Sequence, residues 1–443
     1  MKKLILLFSV SLIVSFGLFA QTINLEQARV LALANSRSLA KYELSIRSSV
    51  LDERNQLFSM LPSVSMDYNA SMSYLKDWEF INPFDTFSTG VTLSVTQIIF
   101  QGGKSFLQKS INAIATESVR KDALAEYFKV LDELDSAYYT ALESSATLEA
   151  EEASLQTVSY GFSVAEIRLE NGMINYGDYL KALADKESRE NSRNQARRNY
   201  NLNIAKLKNL TGITGNIELA PVDFNVYEEA LQRLALISDD EADILYEKLW
   251  KIITASNPSL AKAAISNHRA EMNFSITKRD YAPTISATVF STGLNYSAAD
   301  GFRSSSSGGL TIRGSIPLDF WVLGNRLEKS KIARDSAALD FIGAEISLDT
   351  ELQTALLNAF AQAGSVLSSR RSLEYTQKHL EFVMERYRLS QSSVSDLSEA
   401  TSLFINSRNS QTKASYSFLQ SLSRLRSLGA FDDEAELLKI LVR

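Results

Sequence analysis

The chain has 443 residues, with 46 Lys+Arg against 52 Asp+Glu and a net charge of −6. That balance excludes nucleic-acid binding through bulk positive charge. No cysteine is present, which excludes disulfide frameworks, thiolate metal sites, cysteine nucleophiles and lipidation at an N-terminal cysteine. Two histidines, 6 prolines and 18 glycines point to long uninterrupted elements with little catalytic chemistry, arranged in two or more units.

Residues 1–20 read as a signal peptide. Lys2 and Lys3 precede an apolar run from Leu4 to Phe19, and Ala20 offers a small residue before the polar Gln21-Thr22-Ile23-Asn24. No later window is apolar for long enough to predict a transmembrane helix.

The remainder repeats once. Ala34-Asn35-Ser36-Arg37-Ser38-Leu39 is echoed by Ala255-Ser256-Asn257-Pro258-Ser259-Leu260, and Leu61-Pro62-Ser63-Val64 by Ala282-Pro283-Thr284-Ile285. Gly103 and Gly324 share the spacing of Pro62 and Pro283, and Asp178 and Ala182 pair with Asp396 and Ala400. The predicted organisation is a first repeat over 21–212, an inter-repeat segment over 213–246, a second repeat over 247–429 and a tail over 430–443. The unit is far longer than a solenoid repeat, so a whole structural unit is duplicated.

Each half switches its hydrophobic period. Val64, Met66, Tyr68, Ala70, Met72 and Tyr74 alternate with Ser65, Asp67, Asn69, Ser71 and Ser73, the pattern of a strand with one apolar and one polar face. Thr89–Phe100 repeats it. Thr284–Tyr296 does so with a phase slip near Phe290 that suggests a bulge, and Leu310, Ile312, Ile316 and Leu318 continue the alternation. Strands of this length cross a bilayer at a tilt, and four strands with polar inner faces close no core alone, which favours a membrane barrel over a soluble sandwich.

The rest predicts helices. Tyr127, Leu134, Ala141, Leu148, Leu155, Phe162 and Leu169 recur every seven residues, as do Leu352, Ala359, Val366, Leu373, Leu380 and Tyr387, implying coiled-coil packing. Helices are expected over 24–60, 104–170, 176–211, 247–280, 325–391 and 394–428. The long members would span about 100 Å and the shorter ones roughly 55 Å. His268 and His379 are lone residues on helical stretches, Gly102-Gly103-Lys104 lacks phosphate-loop spacing, and the paired carboxylates read as solvated helix faces. No catalytic residue, cofactor or metal site is predicted.

A strand pair flanked by helices, present twice, resembles the TolC-type outer membrane efflux proteins. The markers are Asn257-Pro258-Ser259-Leu260, Leu61-Pro62-Ser63-Val64, and the helix-turn motif Gly172-Met173-Ile174-Asn175-Tyr176-Gly177-Asp178-Tyr179-Leu180-Lys181-Ala182. In the second copy, Ser390 through Ala400, serine replaces the glycine, and Ser36 stands where the family has proline. The resemblance covers the whole mature chain.

It implies an α+β membrane protein of the outer membrane with a duplicated helix–β-hairpin–helix unit. Three copies would form one 12-stranded β-barrel, continued by a long periplasmic α-helical coiled-coil barrel. It further implies a passive efflux or type I secretion duct, without enzyme activity, used with a periplasmic adaptor (membrane fusion) protein and an inner-membrane transporter of RND, ABC or MFS type. Nucleic acid is not an expected partner. Asp67, Asn69 and Arg313 would line the lumen, while Met66, Tyr68 and Ile312 would face lipid. Loops 75–86 and 297–306 would face outside, with Trp78, Phe80, Phe84 and Trp321 as interface aromatics. The resemblance implies a periplasmic gate near the turns at Gly172 and Ser390, to which Asp178, Asp396, Glu399 and Tyr387 contribute. Asp178 and Asp396 also suit helix N-caps. The family's arginine after the second turn is Ser392 here. The alternative from a different class is an exported coiled-coil surface protein or adhesin without a pore, which has no need of the two-faced strands.

Overall fold

The structure is a computed structural model that describes residues 21–72, 87–297, 301–303 and 307–442. The signal-peptide segment, loop 75–86 and Trp78, Phe80 and Phe84 lie outside the described residues.

In chain order the elements are β1 (Gln21–Ile23), α1 (Leu25–Asn35), α2 (Arg37–Phe58), β2 (Ser63–Met72), β3 (Phe87–Gln101), α3 (Lys104–Glu170), α4 (Tyr176–Thr211) and β4 (Ile217–Leu219). Then come α5 (Glu228–Ala235), α6 (Asp239–Ser256), α7 (Pro258–Lys278), β5 (Thr284–Ser297), β6 (Gly301–Arg303), β7 (Ser307–Ser315), α8 (Phe320–Arg388), α9 (Val394–Gly429) and α10 (Glu434–Val442). They divide into two compact units. One is built from 1–41, 123–258 and 346–443, the other from 42–122 and 259–345.

The first unit is helical, and its core is anchored by a buried carboxylate. Asp135 on α3 is 0% exposed. It accepts two hydrogen bonds from Arg29 of α1, both at 2.8 Å, one from Ser423 at 2.7 Å and one from Arg426 at 2.9 Å, the last two on α9. Glu434 of α10 completes the cluster, accepting from Arg29 at 3.2 Å and from the Tyr227 hydroxyl at 2.8 Å. Beside it, the Tyr138 hydroxyl donates to the carbonyls of Ile23 and Ala220. This ties α3 to the parallel β1–β4 pair, which the sequence did not signal. Burial pushes the Tyr138 phenol up to about 12, so it stays a donor.

Both repeats break their first helix in the same way. The expected helix 24–60 divides at Ser36, and the expected helix 247–280 begins earlier, at Asp239, and divides at Asn257. Asn257 precedes Pro258, whose ring disfavours the helical conformation in the residue before it. Each break caps a neighbouring helix end. Asn35 donates to the carbonyls of Asn209 and Leu210 at the end of α4. Ser256 and Asn257 donate to those of Gly429 and Leu428 at the end of α9.

Those two helix ends are also matched, since the residue after α4 is Gly212 at φ 75° and the residue after α9 is Ala430 at φ 51°. A left-handed alanine carries a steric cost that glycine escapes.

Burial follows the heptads only in part. Leu352, Ala359, Val366 and Tyr387 are buried on α8 as expected. On α3 the seam holds at Leu134 and Ala141, then shifts to Ala150, Ser154, Val158, Gly161 and Ala165, leaving Leu148, Leu155 and Phe162 half-buried. A shift of this kind is a local change of winding in the coiled coil.

The second unit is an antiparallel sheet with its flanking helix segments. The long strands run in the order β2-β3-β5-β7, and β6 continues alongside β5. Among the described residues the outer edges of β2 and β7 have no strand partner. Three expectations are corrected here. The strand expected to reach Leu318 ends at Ser315, because Pro317 has no N–H to offer a ladder. The helix expected from 325 begins at Phe320, so Gly324 lies inside α8. The bulge expected near Phe290 lies further along β5, between Gly293 and Tyr296 opposite Gly90; Phe290 itself keeps register with both Ser94 and Gly309, and a second shift falls beside Ile99. The expected outer loop 297–306 contains β6, and Trp321 stands exposed in the first turn of α8.

The paired helix ends give a test. Ala430→Gly should raise stability by about 0.5–1 kcal/mol, since it removes left-handed strain. Gly212→Ala should lower it by more than about 1 kcal/mol, because its Cβ would lie 2.8 Å from Asn35. Chemical denaturation of the detergent-solubilised protein measures both.

Candidate functional site: a two-faced sheet and a pair of helical turns

The sheet sorts most of its side chains by face, with Phe290 and Ile98 as apolar residues on the polar side. Val64–Val95–Val289–Leu310 forms one cross-strand row, and Met66–Leu93 and Tyr68–Val91 lie on the same face. These apolar side chains are left open by the chain itself: Met66 is 71% exposed, Tyr68 65% and Ile312 66%. The opposite face holds Ser65, Asp67, Asn69, Thr92, Ser94, Thr96, Thr288, Thr311 and Arg313. Hydroxyls pair across it, Ser65 with Ser94 and Ser71 with Ser88 at 2.8 Å, and Thr96 with Thr288 at 3.0 Å. Asp67 accepts from Ser65 at 3.3 Å. The structure therefore groups Asp67, Asn69 and Arg313 on one polar face, with Asp67 and Asn69 on β2 at one edge of the sheet and Arg313 on β7 at the other. A sheet exposing a continuous apolar face suits lipid on that side and water on the other.

Four strands therefore present chemistry without covering it.

The helical turns are built alike. After α3, Met173 N–H donates to the Arg168 carbonyl at 2.7 Å around Gly172 at φ 67°. After α8, Gln391 N–H donates to the Arg386 carbonyl at 2.8 Å around Ser390 at φ 62°. Both are Schellman closures, and the second carries a non-glycine residue in the left-handed region. The following helices are capped by Asn175 and Ser393. This corrects the N-cap reading of Asp178 and Asp396, each of which stands at the third helical position. Asp396 completes a capping box, accepting from the Ser393 N–H at 2.8 Å. Hydrogen bonds from the Ser393 backbone and hydroxyl hold its carboxyl below the usual range. The box thus persists above the ordinary aspartate range and is lost as pH falls through that lowered value. Asp396 and Glu399 are exposed, and Asp178 is half-buried.

Tyr387 is 1% exposed, within a cluster of Val383, Leu397 and Ala400 joined by Val164 and Val394. Its hydroxyl donates to the Gly161 carbonyl at 2.9 Å, so it fastens α8 to α3 of its own chain. Burial pushes its phenol up, and the charge of Arg168 pulls the other way. The Arg168 guanidinium lies 4.5 Å from the Tyr387 ring centre and also donates to the Tyr387 carbonyl. Sequence reasoning missed Arg168, because it looked for the tying arginine at Ser392 and no local pattern links α3 to α8. Nearby, Lys181 donates to Ser395 at 2.5 Å, joining α4 to α9. Gly172 and Ser390 make the turns, while Asp178, Asp396, Glu399 and Tyr387 stand on the helices that enter or leave them.

Among the described residues no helix is long and apolar enough to cross a membrane. His268 and His379 are both exposed on helices.

Comparison with known proteins agrees with this geometry. The pattern of the family described as "Outer membrane efflux protein" matches residues 28–213 and 249–430, the two repeats in turn. The chain is 22% identical over 464 aligned positions to Outer membrane protein TolC of Escherichia coli (strain K12), covering 98% of this chain and 88% of that protein. The fold is similar to the CmeC outer membrane channel of Campylobacter jejuni, with a TM-score of 0.76 at 15% identity over 95% of this chain and 89% of that one. It is also similar to the outer membrane protein VceC of Vibrio cholerae, with a TM-score of 0.73 at 16% identity over 91% and 96%. Two matched repeats, each a strand pair between helices, define a TolC-like channel architecture. The chain belongs to the outer membrane efflux protein family. It is accordingly an outer membrane channel protein reaching into the periplasm, not an enzyme and not a pore-free adhesin.

The tyrosine fastening can be tested directly. Tyr387→Phe should cost about 1 kcal/mol by leaving the Gly161 carbonyl without its donor, and Tyr387→Ala about 3–5 kcal/mol by opening a cavity. Thermal unfolding of the detergent-solubilised protein reads the difference.

Proposed function

We propose that this chain is one protomer of a homotrimeric exit duct, through which substrates pass passively from a periplasm-spanning transporter assembly to the exterior. The single observation that carries the reading is the four-stranded sheet with two open edges, one exposed apolar face and one hydroxyl-lined face. Three such sheets joined edge to edge make a 12-stranded barrel, which satisfies the bare backbone edges and gives lipid and water each its own side. Asp67, Asn69 and Arg313 then line the lumen, while Met66, Tyr68 and Ile312 face lipid.

In this reading an inner-membrane transporter of RND, ABC or MFS type supplies the drive and a periplasmic adaptor the connection. The exposed Met173, Tyr176 and Leu180 beside the Gly172 turn offer apolar contact for such an adaptor. The 21–212 and 247–429 repeats are the two halves of each protomer, with 213–246 and 430–443 between and after them.

The turns at Gly172 and Ser390 form the periplasmic mouth. Asp178, Asp396 and Glu399 recur there three times around the axis and draw cations through a focused field. Tyr387 and Arg168 hold the long helices together behind that mouth, in place of the arginine absent at Ser392. This support is geometric: Arg168 and Tyr387 touch through ring and carbonyl alike.

Planar-bilayer recording is the decisive measurement, and the purified protein should insert as a conducting pore. Tyr68→Arg should impair insertion, because a charge facing mid-bilayer lipid costs about 2–4 kcal/mol. Asn69→Leu should insert normally. The reverse result would invert the facing. Replacing Asp396 and Glu399 together by Asn and Gln should weaken cation preference, and an unchanged preference would remove both from the mouth.

A further inference from the structure

The polar face of the sheet contains one aromatic side chain in mid-sheet. Its cross-strand rows are Ser63–Thr96–Thr288–Thr311, Ser65–Ser94–Phe290–Gly309 and Asp67–Thr92–Thr292–Ser307. Every other side chain in these rows is a hydroxyl or a carboxylate, apart from Gly309. The register shift on β5 comes only after Phe290, between Gly293 and Tyr296, so Phe290 itself stays in the regular ladder. The backbone continues in register, and the ring stands on the hydrophilic side. It is accommodated because its cross-strand neighbour has no side chain. A Cβ built on Gly309 would lie 2.9 Å from Phe290 Cζ and 3.1 Å from Cε1, so the ring lies down across the glycine. One ring face covers the strand and the rest is half-exposed toward the polar side.

Asp67 is the carboxylate of the adjacent row. Two strand spacings and one two-residue step separate the backbones of Phe290 and Asp67, about 12 Å. An aromatic face and a carboxylate at that separation, on a wall made mostly of hydroxyls with Asn69 beside Asp67 and Arg313 two rows from Phe290 on β7, match a bulky organic cation that carries aromatic groups. Such a solute stacks on the ring and is attracted to the carboxylate.

We infer that Phe290 and Asp67 form a contact station for lipophilic aromatic cations on the conduit wall, so that this class of solute is retained longer than aliphatic cations of equal charge. The inference rests on the reading that the polar face lines the conduit. Gly309 is a positioning residue: it lets the ring lie flat, and a side chain there lifts the ring into the passage.

The test is single-channel recording with tetraphenylphosphonium and tetrapentylammonium, two bulky monovalent cations that differ in aromatic character. In the parent protein tetraphenylphosphonium should block at lower concentration. Phe290→Leu keeps Gly309 covered and removes the aromatic face, so block by tetraphenylphosphonium should weaken about tenfold while block by tetrapentylammonium stays. Asp67→Asn should weaken block by both cations. Gly309→Ala should lower conductance in the absence of either cation. Equal weakening of both cations by Phe290→Leu, or no change in either, overturns the station. A parent protein that inserts without conducting overturns the conduit reading itself and this inference with it.

Discussion

Asp135 lies at zero exposure in the interior of a 67-residue helix, a position where a lone carboxylate would be costly. Two guanidinium groups and a serine hydroxyl surround it, each on a different stretch of chain from its own. Burial pulls Arg29 toward its neutral form, and the hydrogen bond and charge of Asp135 outweigh that pull and raise its pKa. Replacing such a cluster by apolar side chains can be neutral, whereas removing one member strands the others and typically costs about 3–5 kcal/mol. What the cluster supplies is therefore definition. α1, α3 and α9 meet at Asp135, α10 joins them through Glu434 on Arg29, and the β1–β4 pair is held beside the cluster through Tyr138.

The duplication is visible in chemistry as well as in element order. Asn35 and the Ser256-Asn257 pair each close the end of a helix from the far side of a break, with the capping side chains displaced along the chain by about one residue. Gly172 and Gly212 in the first half correspond to Ser390 and Ala430 in the second, all four in the left-handed region. The second half thus makes the same turns with side chains that fit them less well. Its turn at Ser390 is supported by the two-way capping box of Ser393 and Asp396, while Asn175 caps the first half by a single bond to the Asp178 N–H. The half with the strained turn has the stronger cap.

The sequence was most legible where one physical rule acted alone. Strict alternation from Val64 to Met72 placed β2 and sorted its faces, since a strand leaves no other period available. α3 and α4 emerged with their ends because the Gly172 turn separates two uninterrupted helical stretches. Legibility failed where rules competed or where contacts were distant. Ser36 has no proline after it, so the break between α1 and α2 left no mark beyond its likeness to Asn257. The seam on α3 moved to small residues such as Ala150 and Gly161, which a search for large apolar side chains passes over. Asp135 pairs with residues 106 and 291 positions away, and no local pattern announces such a contact. Phe290 broke the alternation, and the sequence offered a bulge near it; the register shift lies further along β5, between Gly293 and Tyr296, and Gly309 opposite Phe290, invisible until the strands were paired, makes room for the ring. Tyr387 was expected at the gate on the strength of the resemblance; the contact it makes inside the chain, to the Gly161 carbonyl on another helix, left no mark in the sequence.

The strand edges of β2 and β7 carry a consequence for how the protein comes into being. A four-stranded sheet with both edges bare and neither face buried by its own chain has nothing to fold against in water. In the proposed duct its edges are completed by other strands and its apolar side chains by lipid, which couples ordering of the sheet to insertion and association. Helix formation is under no such constraint, because the Asp135 cluster is assembled entirely from residues of one chain. With both edges bare, the strand segment is the part of the chain most prone to pair wrongly or aggregate before its partners arrive. Control of biogenesis then falls on the strands: whatever escorts the chain to the membrane must shield the strand segments rather than the whole protein.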